Sequence, residues 1–267
     1  MPDYWQELAS PDFATLDPER TIALLPVSAV EQHGPHLPLA TDALINAGVV
    51  SALRQRPRGP FRVLVLPPLT VGHSLEHQNF PGTLSIAAET LLAAWLDIGR
   101  SVARAGLRKL VILNTHGGQT SLVNIAALRL RAELGMLVVR ANYFAFGSPP
   151  GLFGSDELRH GIHGGEMETS LLLHLRPDLV HMNLAADFRG LPHELADRNS
   201  VLGAEKPIGI GWMSEDLHPA GVVGNAAAAD AGRGEKLLDH LATQLATLLK
   251  ETADTPLATL QGIGDRG

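Results

Sequence analysis

The sequence predicts an α/β protein with a mostly parallel central sheet. Short apolar runs alternate with longer segments in which apolar residues recur at helical spacing, and this alternation is typical of parallel sheets. Polar clusters follow two of the apolar runs directly. In open α/β sheets, ligands bind beyond the carboxyl ends of the strands, which is where such clusters would lie. With 267 residues, 45% of them hydrophobic, the chain can bury a full core.

Four apolar runs have the length and composition of buried strands. In chain order they are residues 21–29 (TIALLPVSA), 61–66, 109–113 (KLVIL) and 137–141. The second run is stopped by Pro67 and Pro68, which cannot continue a strand ladder. The third ends at Asn114, where a polar cluster begins. These runs are predicted to form the sheet.

Helical spacing of apolar residues predicts the elements between and after the strands. In chain order they are residues 42–54, 85–105, 120–134, 167–175 and 226–252. Residues 143–162 are rich in Gly, Pro and aromatic residues and are predicted to be a long functional loop or flap. Residues 182–225 are predicted to be irregular, and the tail after Thr255 to fray. No repeat or linker divides the chain, so we expect one domain, residues 1–267.

Composition excludes several classes of function. The 28 acidic and 21 basic residues give a formal charge of -7 with no basic stripe, so we expect no nucleic-acid partner. The absence of cysteine excludes disulfides, thiolate catalysis and cysteine-built zinc sites. No apolar stretch is long enough to span a bilayer, and the N-terminus lacks an apolar signal region. We therefore expect a cytoplasmic protein with no membrane partner.

The first polar cluster follows the strand predicted at residues 21–29. Glu31 and His33 point to the same side of an extended chain, because side chains alternate with a period of two. Asp42 returns at the start of the next helix. Together these side chains can hold a metal ion. The alternative is a polar loop in which Asp42 caps the helix.

The second cluster, NTHGG, follows the strand predicted at residues 109–113. It places His116 at a strand end, beside glycines that allow a ligand to approach closely. The alternative is a loop histidine with ordinary hydrogen bonds. A phosphate-binding loop fits less well, because the cluster lacks the lysine of a P-loop and no GxGxxG occurs.

The third cluster, HGGEMETS, precedes the helix predicted at residues 167–175. It contains His163, Glu166 and Glu168. Acidic and hydroxyl residues at a helix start can be simple caps. Capping accounts for one carboxylate but less readily for a histidine and two carboxylates, so a functional role is the competing interpretation.

The three clusters together indicate a metal centre. His33 and His116 offer nitrogen ligands, and three carboxylates, Glu31, Asp42 and Glu166, offer oxygen ligands. Three buried carboxylates without a cation would repel each other. If two divalent ions were bound, the negative charges of the three carboxylates and one hydroxide would balance the charge of the ions. Nitrogen and oxygen ligands without sulfur suit Zn, Mn or Fe.

Four motifs in this order resemble the creatininase (creatinine amidohydrolase) family. They are ExHGPHLPLxTD at residues 31–42, GHSLEHQNFPGT at residues 72–83, NTHGG at residues 114–118 and HGGEMETS at residues 163–170. GVVGN at residues 221–225 is similar to a late GVxGD segment of that family, with Asn225 in place of the usual Asp.

The resemblance implies a three-layer α/β/α fold, a homohexamer and two divalent metals bridged by Asp42. Glu31 and His116 would complete one metal site, and His33 with a further carboxylate the other. His163 matches the family's catalytic histidine. A metal-activated hydroxide would attack the substrate carbonyl, and His163 would pass a proton to the leaving nitrogen. Glu168 would orient His163 or the water.

The further carboxylate is open. In creatininase it comes from a Glu two residues after the histidine of the NTHGG segment, where this sequence has Gly118. We expect Glu166 to replace it as the fifth ligand, with Glu168 as the alternative. His73 and His77 are expected to line the pocket or to lie at a subunit contact, and His36 to support a metal ligand.

The implied activity is hydrolysis of a non-peptide C–N bond in a small cyclic or linear amide. Creatininases hold creatinine with tryptophans before the catalytic histidine, but residues 143–162 contain none, which argues against creatinine. Aromatic residues there, Tyr143, Phe144, Phe146 and Phe153, could cover a ring or simply pack, and Arg159 could bind a carboxylate. The alternatives are a maturation peptidase or formamide hydrolase of a cofactor pathway, and a catalytically silent metal-binding scaffold.

Overall fold

Five parallel strands form the central sheet of the computed structural model, which describes residues 3–56, 59–205 and 208–260. They are β1 (Asp3–Tyr4), β2 (Thr21–Val27), β3 (Arg62–Val65), β4 (Lys109–Asn114) and β5 (Leu137–Asn142). Their spatial order is β1-β3-β2-β4-β5, and every neighbouring pair is parallel. The predicted α/β class with a mostly parallel sheet is confirmed. The sequence missed β1, because two residues are too short to carry a hydrophobic pattern.

Helices connect these strands and cover both faces of the sheet. They are α1 (Thr41–Leu53), α2 (Ala88–Arg104), α3 (Thr120–Leu134), α4 (Ser155–His160), α5 (Glu166–Leu175), α6 (Leu191–Arg198), α7 (Ser214–Leu217) and α8 (Ala231–Asp254). The long helix predicted from residue 226 begins later. The Asp230 carboxylate accepts a hydrogen bond of 2.9 Å from the Arg233 amide, which caps the first turn of α8.

The alternation of side chains along β2 divides the core into two layers. Ile22 and Leu24 join one apolar cluster, whereas Ala23 and Leu25 join the other. Residues of α1, α5 and α8 complete the first cluster, and residues of α2 and α3 complete the second. Both faces of the sheet are therefore covered, as the three-layer α/β/α architecture requires.

The strand order creates a crevice between β2 and β4, where successive connections go to opposite sides of the sheet. From β2 the chain crosses to β3 on one side, whereas β4 lies on the other side of β2. Loops that leave the carboxyl ends of β2 and β4 therefore diverge, and such a switch point is where α/β proteins bind ligands. The Glu31–His33 and His116 segments follow these two strands.

Aromatic side chains of the segment predicted to be a flap pack into the core, whereas about half of its residues are exposed. Residues Tyr143–Phe146 form a 3-10 turn that follows β5 directly, and α4 occupies Ser155–His160. The Tyr143 and Phe153 side chains are buried in the first core cluster. The segment is apolar and aromatic because it contributes to the core.

The region predicted to be irregular, residues 182–225, contains α6 and α7. It also contains a short antiparallel pair, β6 (Asp187–Phe188) and β7 (Gly224–Asn225). The tail predicted to fray is held at its start, because the buried Lys109 ammonium donates to the Thr255 carbonyl at 2.7 Å. Residues 261–267 of that tail lie outside the described residues. Among the described helices, none combines the length and apolarity needed to cross a membrane.

Candidate metal centre

The predicted ligands that follow β2 and β4 meet at the switch point. Glu31, His33, Asp42 and His116 are at most 2% exposed. Glu31, Asp42 and His116 form one group whose ligand atoms lie within 4.8 Å of one another. His33, Asp42 and Glu168 form a second such group. Asp42 belongs to both groups, so the two potential cation sites are adjacent.

The Asp42 carboxylate lies between two imidazole rings. Its Oδ1 is 3.2 Å from Nε2 of His33, and its Oδ2 is 3.3 Å from Nδ1 of His116. Asp42 lies in the first turn of α1, and its carbonyl accepts a hydrogen bond of 2.9 Å from the Thr115 hydroxyl. This bond ties the start of α1 to the His116 segment. The carboxylate thus presents one oxygen to each histidine.

Backbone carbonyls determine which ring nitrogens of the two histidines carry hydrogen. Nδ1 of His33 lies 3.1 Å from the Glu31 carbonyl, and Nε2 of His116 lies 2.8 Å from the His73 carbonyl. Because a carbonyl only accepts, each of these nitrogens is the donor. In the neutral rings, the other nitrogens, Nε2 of His33 and Nδ1 of His116, are bare and face the carboxylates.

The donor atoms of this cluster fit divalent cations. Both oxygens of Glu31, Nε2 of His33 and Oδ2 of Asp42 are buried without a hydrogen-bond partner. Bare nitrogens facing carboxylate oxygens in a buried cavity are unfavourable unless a cation or a proton lies between them. Imidazole nitrogens and carboxylate oxygens without sulfur are ligands for Zn, Mn or Fe.

The carboxylates of this cluster change the pKa values of the histidines, which hold protons that offset the negative charge. Burial lowers the pKa of His33, but the carboxylates of Asp42, Glu168 and Glu31 outweigh it and raise that pKa to about 9. Burial likewise lowers the pKa of His116, yet Glu31 and Asp42 raise it well above its usual value. Burial raises the pKa of Asp42, but His33 and His116 hold it well below its usual range. Cations that bind here must displace the imidazole protons.

The carboxylate nearest to His33 and Asp42 from α5 is Glu168, whereas Glu166 was the expected ligand. Oε2 of Glu168 lies 3.9 Å from Nε2 of His33. Glu166 instead forms an ion pair with Arg233 of α8 and belongs to none of the metal-like groups among the described residues. Residues two apart on a helix point in directions about 200° apart. Only one of the two can face the cluster.

Two hydrogen bonds hold the Glu168 carboxylate in place. The Gly164 amide donates to Oε2 at 2.7 Å, and the Tyr143 hydroxyl donates to Oε1 at 3.0 Å. Burial, followed by the charge of Glu168, raises the pKa of Tyr143 well above its usual value, so the hydroxyl stays a donor. The sequence analysis left Tyr143 as a cover for the substrate or as simple packing and missed this role, because nothing local relates residues 143 and 168.

His163 lies beside the cluster with its bare nitrogen directed inward. Its Nε2 donates to the Gln32 carbonyl at 2.7 Å, and its Nδ1 lies 3.9 Å from Oε1 of Glu31. Burial, and then the charge of His33, lowers the pKa of His163. An antiparallel bridge to Val223, in the GVVGN segment, fixes the backbone. The geometry permits His163 to accept and return a proton at Nδ1.

The GHSLEHQNFPGT segment supports the cluster from the other side. Nε2 of His77 lies 3.3 Å from Oε1 of Glu31, and Oε1 of Glu76 lies 3.6 Å from Nε2 of His116. Burial raises the pKa of Glu76 and lowers that of His77. His73 contributes its carbonyl to His116. His36 lies apart and is hydrogen-bonded to the Thr169 hydroxyl at 2.9 Å.

Glu157 is a buried carboxylate that the sequence analysis missed. Its Oε1 accepts a hydrogen bond of 2.7 Å from the Glu166 amide, and its Oε2 accepts one of 3.0 Å from the Asn225 amide. Burial raises its pKa. Glu157 thereby fastens the start of α5 to β7 and keeps Glu168 and His163 together. Its place in a predicted loop gave no signal of this role.

Comparisons with known proteins identify a family that this chain matches over most of its length. The family model for creatininase (creatinine amidohydrolase) matches residues 6–249. A mycofactocin precursor peptide peptidase of Mycobacterium ulcerans is 36% identical over 223 residues, covering 82% of this chain and 80% of that protein. A creatinine amidohydrolase of Pseudomonas putida is 29% identical over 246 residues, covering 86% and 89%.

Solved creatininase structures have the same fold. One is creatininase with Mn, and another is a mutant creatininase of the Zn-Zn type. Each superposes with a TM-score of 0.74 at 26% identity and covers 96% of this chain and all of its own. Similar proteins of this fold therefore contain Mn or Zn.

Proposed function

Since this chain belongs to the creatininase family of hydrolases, we propose that it cleaves amide C–N bonds with two divalent cations, Zn, Mn or Fe. The proposed ligands are Glu31, His33, Asp42, His116 and Glu168. One observation carries the proposal. Buried carboxylate and imidazole atoms converge at the switch point of the sheet without hydrogen-bond partners, and a cation would satisfy them.

Asp42 supports a pair of ions rather than a single one. Its two oxygens face different histidines, His33 on one side and His116 on the other. Glu31 adds a second carboxylate on the His116 side, and Glu168 adds one on the His33 side. Each site thus has one imidazole, one carboxylate of its own and a share of Asp42.

The residues around the cluster support a hydrolytic step. Divalent cations in such a ligand set lower the pKa of a water and polarise a substrate carbonyl. His163 takes the proton of the attacking water at Nδ1 and returns it to the leaving nitrogen as the C–N bond breaks. Its lowered pKa keeps the ring neutral and ready to accept. The Gln32 carbonyl holds the ring in the tautomer with a bare Nδ1.

We propose a small cyclic or linear amide with a non-peptide C–N bond as the first substrate class. Residues 143–162 contain no tryptophan, and the buried Tyr143 and Phe153 are unavailable as a cover in its place, so creatinine itself is not favoured. A peptide amide in a precursor peptide is the second candidate. It is favoured by the 36% identity to a mycofactocin precursor peptide peptidase over most of both chains.

The test is metal content per chain for the wild type and for Asp42→Ala, followed by hydrolysis assays with each metal. We expect about two metals per wild-type chain and loss of both metals and activity on removal of the bridge. Asp178→Ala, which alters an exposed ion pair, is the matched control. The proposal fails if one metal is bound and survives Asp42→Ala. Creatinine, formamides and short peptides as substrates separate the two substrate classes.

The proposal includes three expectations about the protein as a whole. It folds as one domain, forms a homo-oligomer that the family resemblance suggests is a hexamer, and works in the cytoplasm. Sedimentation of the metal-loaded protein measures the assembly, and a monomer would contradict this part of the proposal alone.

A further inference from the structure

The side chain of Gln32 is held between two of the proposed ligands in one orientation. Its Oε1 accepts a hydrogen bond of 2.9 Å from the Gly34 amide, and its Nε2 donates one of 2.6 Å to the Gly221 carbonyl. Both partners are backbone groups, and a backbone N–H can only donate whereas a carbonyl can only accept. The oxygen and nitrogen of the Gln32 amide therefore cannot exchange places.

The fixed amide determines the protonation of His77. Nε2 of Gln32, which carries a second N–H, lies 2.8 Å from Nδ1 of His77. Because an amide nitrogen only donates, Nδ1 must be bare. The hydrogen of the neutral ring is then on Nε2, which lies 3.3 Å from Oε1 of Glu31. His77 thus presents an N–H group to a buried carboxylate.

His77 differs in this respect from the other imidazoles around Glu31. Nδ1 of His116 lies 3.1 Å from Oε1 of Glu31, and Nδ1 of His163 lies 3.9 Å from it. Both nitrogens are bare in the neutral rings, because the opposite ring nitrogens donate to carbonyls. Of these three rings, His77 alone can donate to Glu31 without gaining a proton. Both oxygens of Glu31 are buried and form no hydrogen bond, so His77 at 3.3 Å is a donor within reach rather than a formed partner.

We propose that Gln32 and His77 act as a positioning pair, in which the amide holds His77 as an Nε2–H donor that orients the Glu31 carboxylate toward the metal. The proposal rests on the metal site proposed above. Partners that orient a metal ligand commonly contribute 10- to 100-fold to metal affinity. The stacking of His77 on His163, with ring centroids 4.3 Å apart, places both rings on the same side of Glu31.

The test compares the zinc affinity of three variants by competition with a chromogenic chelator. His77→Phe keeps a ring that can stack on His163 but removes the donor, and we expect about 10- to 100-fold weaker binding. His77→Gln carries an amide N–H of similar reach and should recover most of that affinity. His181→Phe, at an exposed position, is the control and should bind zinc as the wild type does. Thermal unfolding of the metal-free variants checks that each one folds.

A direct readout is the ¹⁵N spectrum of the histidine rings in metal-free protein. We expect a bare Nδ1 and a protonated Nε2 in His77, and a changed pattern in Gln32→Met. A protonated Nδ1 in the wild type would overturn the proposal. Wild-type zinc affinity in His77→Phe would also overturn it and leave the proposed function intact. If the wild type binds none of Zn, Mn and Fe, the proposed function fails, whereas the ring spectrum still tests the contact between Gln32 and His77.

Discussion

Glu76 occupies the space that a side chain at Gly118 would need. A Cβ at Gly118 would overlap Oε1 of Glu76 and would lie 2.8 Å from Nε2 of His116. In creatininase this position, two residues after the histidine, carries a glutamate ligand. Here a carboxylate from the GHSLEHQNFPGT segment fills that space instead. The carboxylate beside His33 and Asp42 comes instead from α5, where Glu168 is the proposed fifth ligand.

Gly118→Ala is expected to weaken the metal centre. The added methyl group must displace the Glu76 carboxylate and press on His116, which costs roughly 1–3 kcal/mol of stability. Gly117→Ala is the matched control, because a Cβ there meets no atom within 4 Å. Chemical unfolding and zinc titration measure both effects. Glu76→Ala in the Gly118→Ala background should restore stability, and failure to do so would contradict the steric explanation.

Glu168→Ala and Glu166→Ala should have different effects. Removal of Glu168 takes a carboxylate from the His33 side, so we expect about one metal per chain and loss of activity. Removal of Glu166 leaves Arg233 of α8 without its ion-pair partner, so we expect full metal content with stability lowered by about 1 kcal/mol. Metal analysis and thermal unfolding distinguish the two. If Glu166→Ala lost metal and Glu168→Ala did not, Glu166 rather than Glu168 would be the fifth ligand.

Tyr143→Phe should lower metal affinity or activity by roughly 10-fold without disturbing the fold. The substitution removes only the hydroxyl that donates to Glu168, and the ring remains in the core. Tyr4→Phe is the control, because its hydroxyl contacts Arg54 rather than the cluster. Zinc competition measures the affinity. Equal affinity in both variants would show that the Gly164 amide alone is sufficient to hold Glu168.

The metal-free protein should lose stability between about pH 6.5 and pH 9. The pKa of His33 is raised from 6.5 to about 9 in the folded chain. Stability from its protonation is therefore fully present below the unfolded value and is lost as pH rises through the folded value. His116, with a raised pKa, contributes in the same direction. Unfolding of chelator-treated protein across this range measures the effect.

Metal binding should show the opposite dependence on pH. Cations must displace the protons of His33 and His116, so affinity should rise with pH and protons should be released on binding. Calorimetry in two buffers with different ionisation enthalpies counts these protons. Binding at neutral pH without proton release would mean that the rings are already neutral in the metal-free chain.

Local patterns in the sequence were sufficient for most of the fold. Apolar runs and helical spacing located β2 to β5 and the main helices, because a buried strand or an amphipathic helix must repeat its apolar residues at a fixed period. The motifs also placed Glu31, His33, Asp42 and His116 at strand ends and at a helix start. The carboxyl ends of β2 and β4 and the start of α1 lie together, so the four side chains converge as expected.

Contacts between distant segments determined the rest. The choice between Glu168 and Glu166 depends on how α5 is rotated against α8, where Arg233 pairs with Glu166. The partnership of Tyr143 with Glu168 likewise joins segments that no local pattern connects. The sequence by itself therefore determined the layers of the fold and the location of the candidate site, where four predicted side chains meet. Only the tertiary structure shows which carboxylate of α5 faces the cluster and which groups hydrogen-bond to it, because packing sets which way each side chain faces.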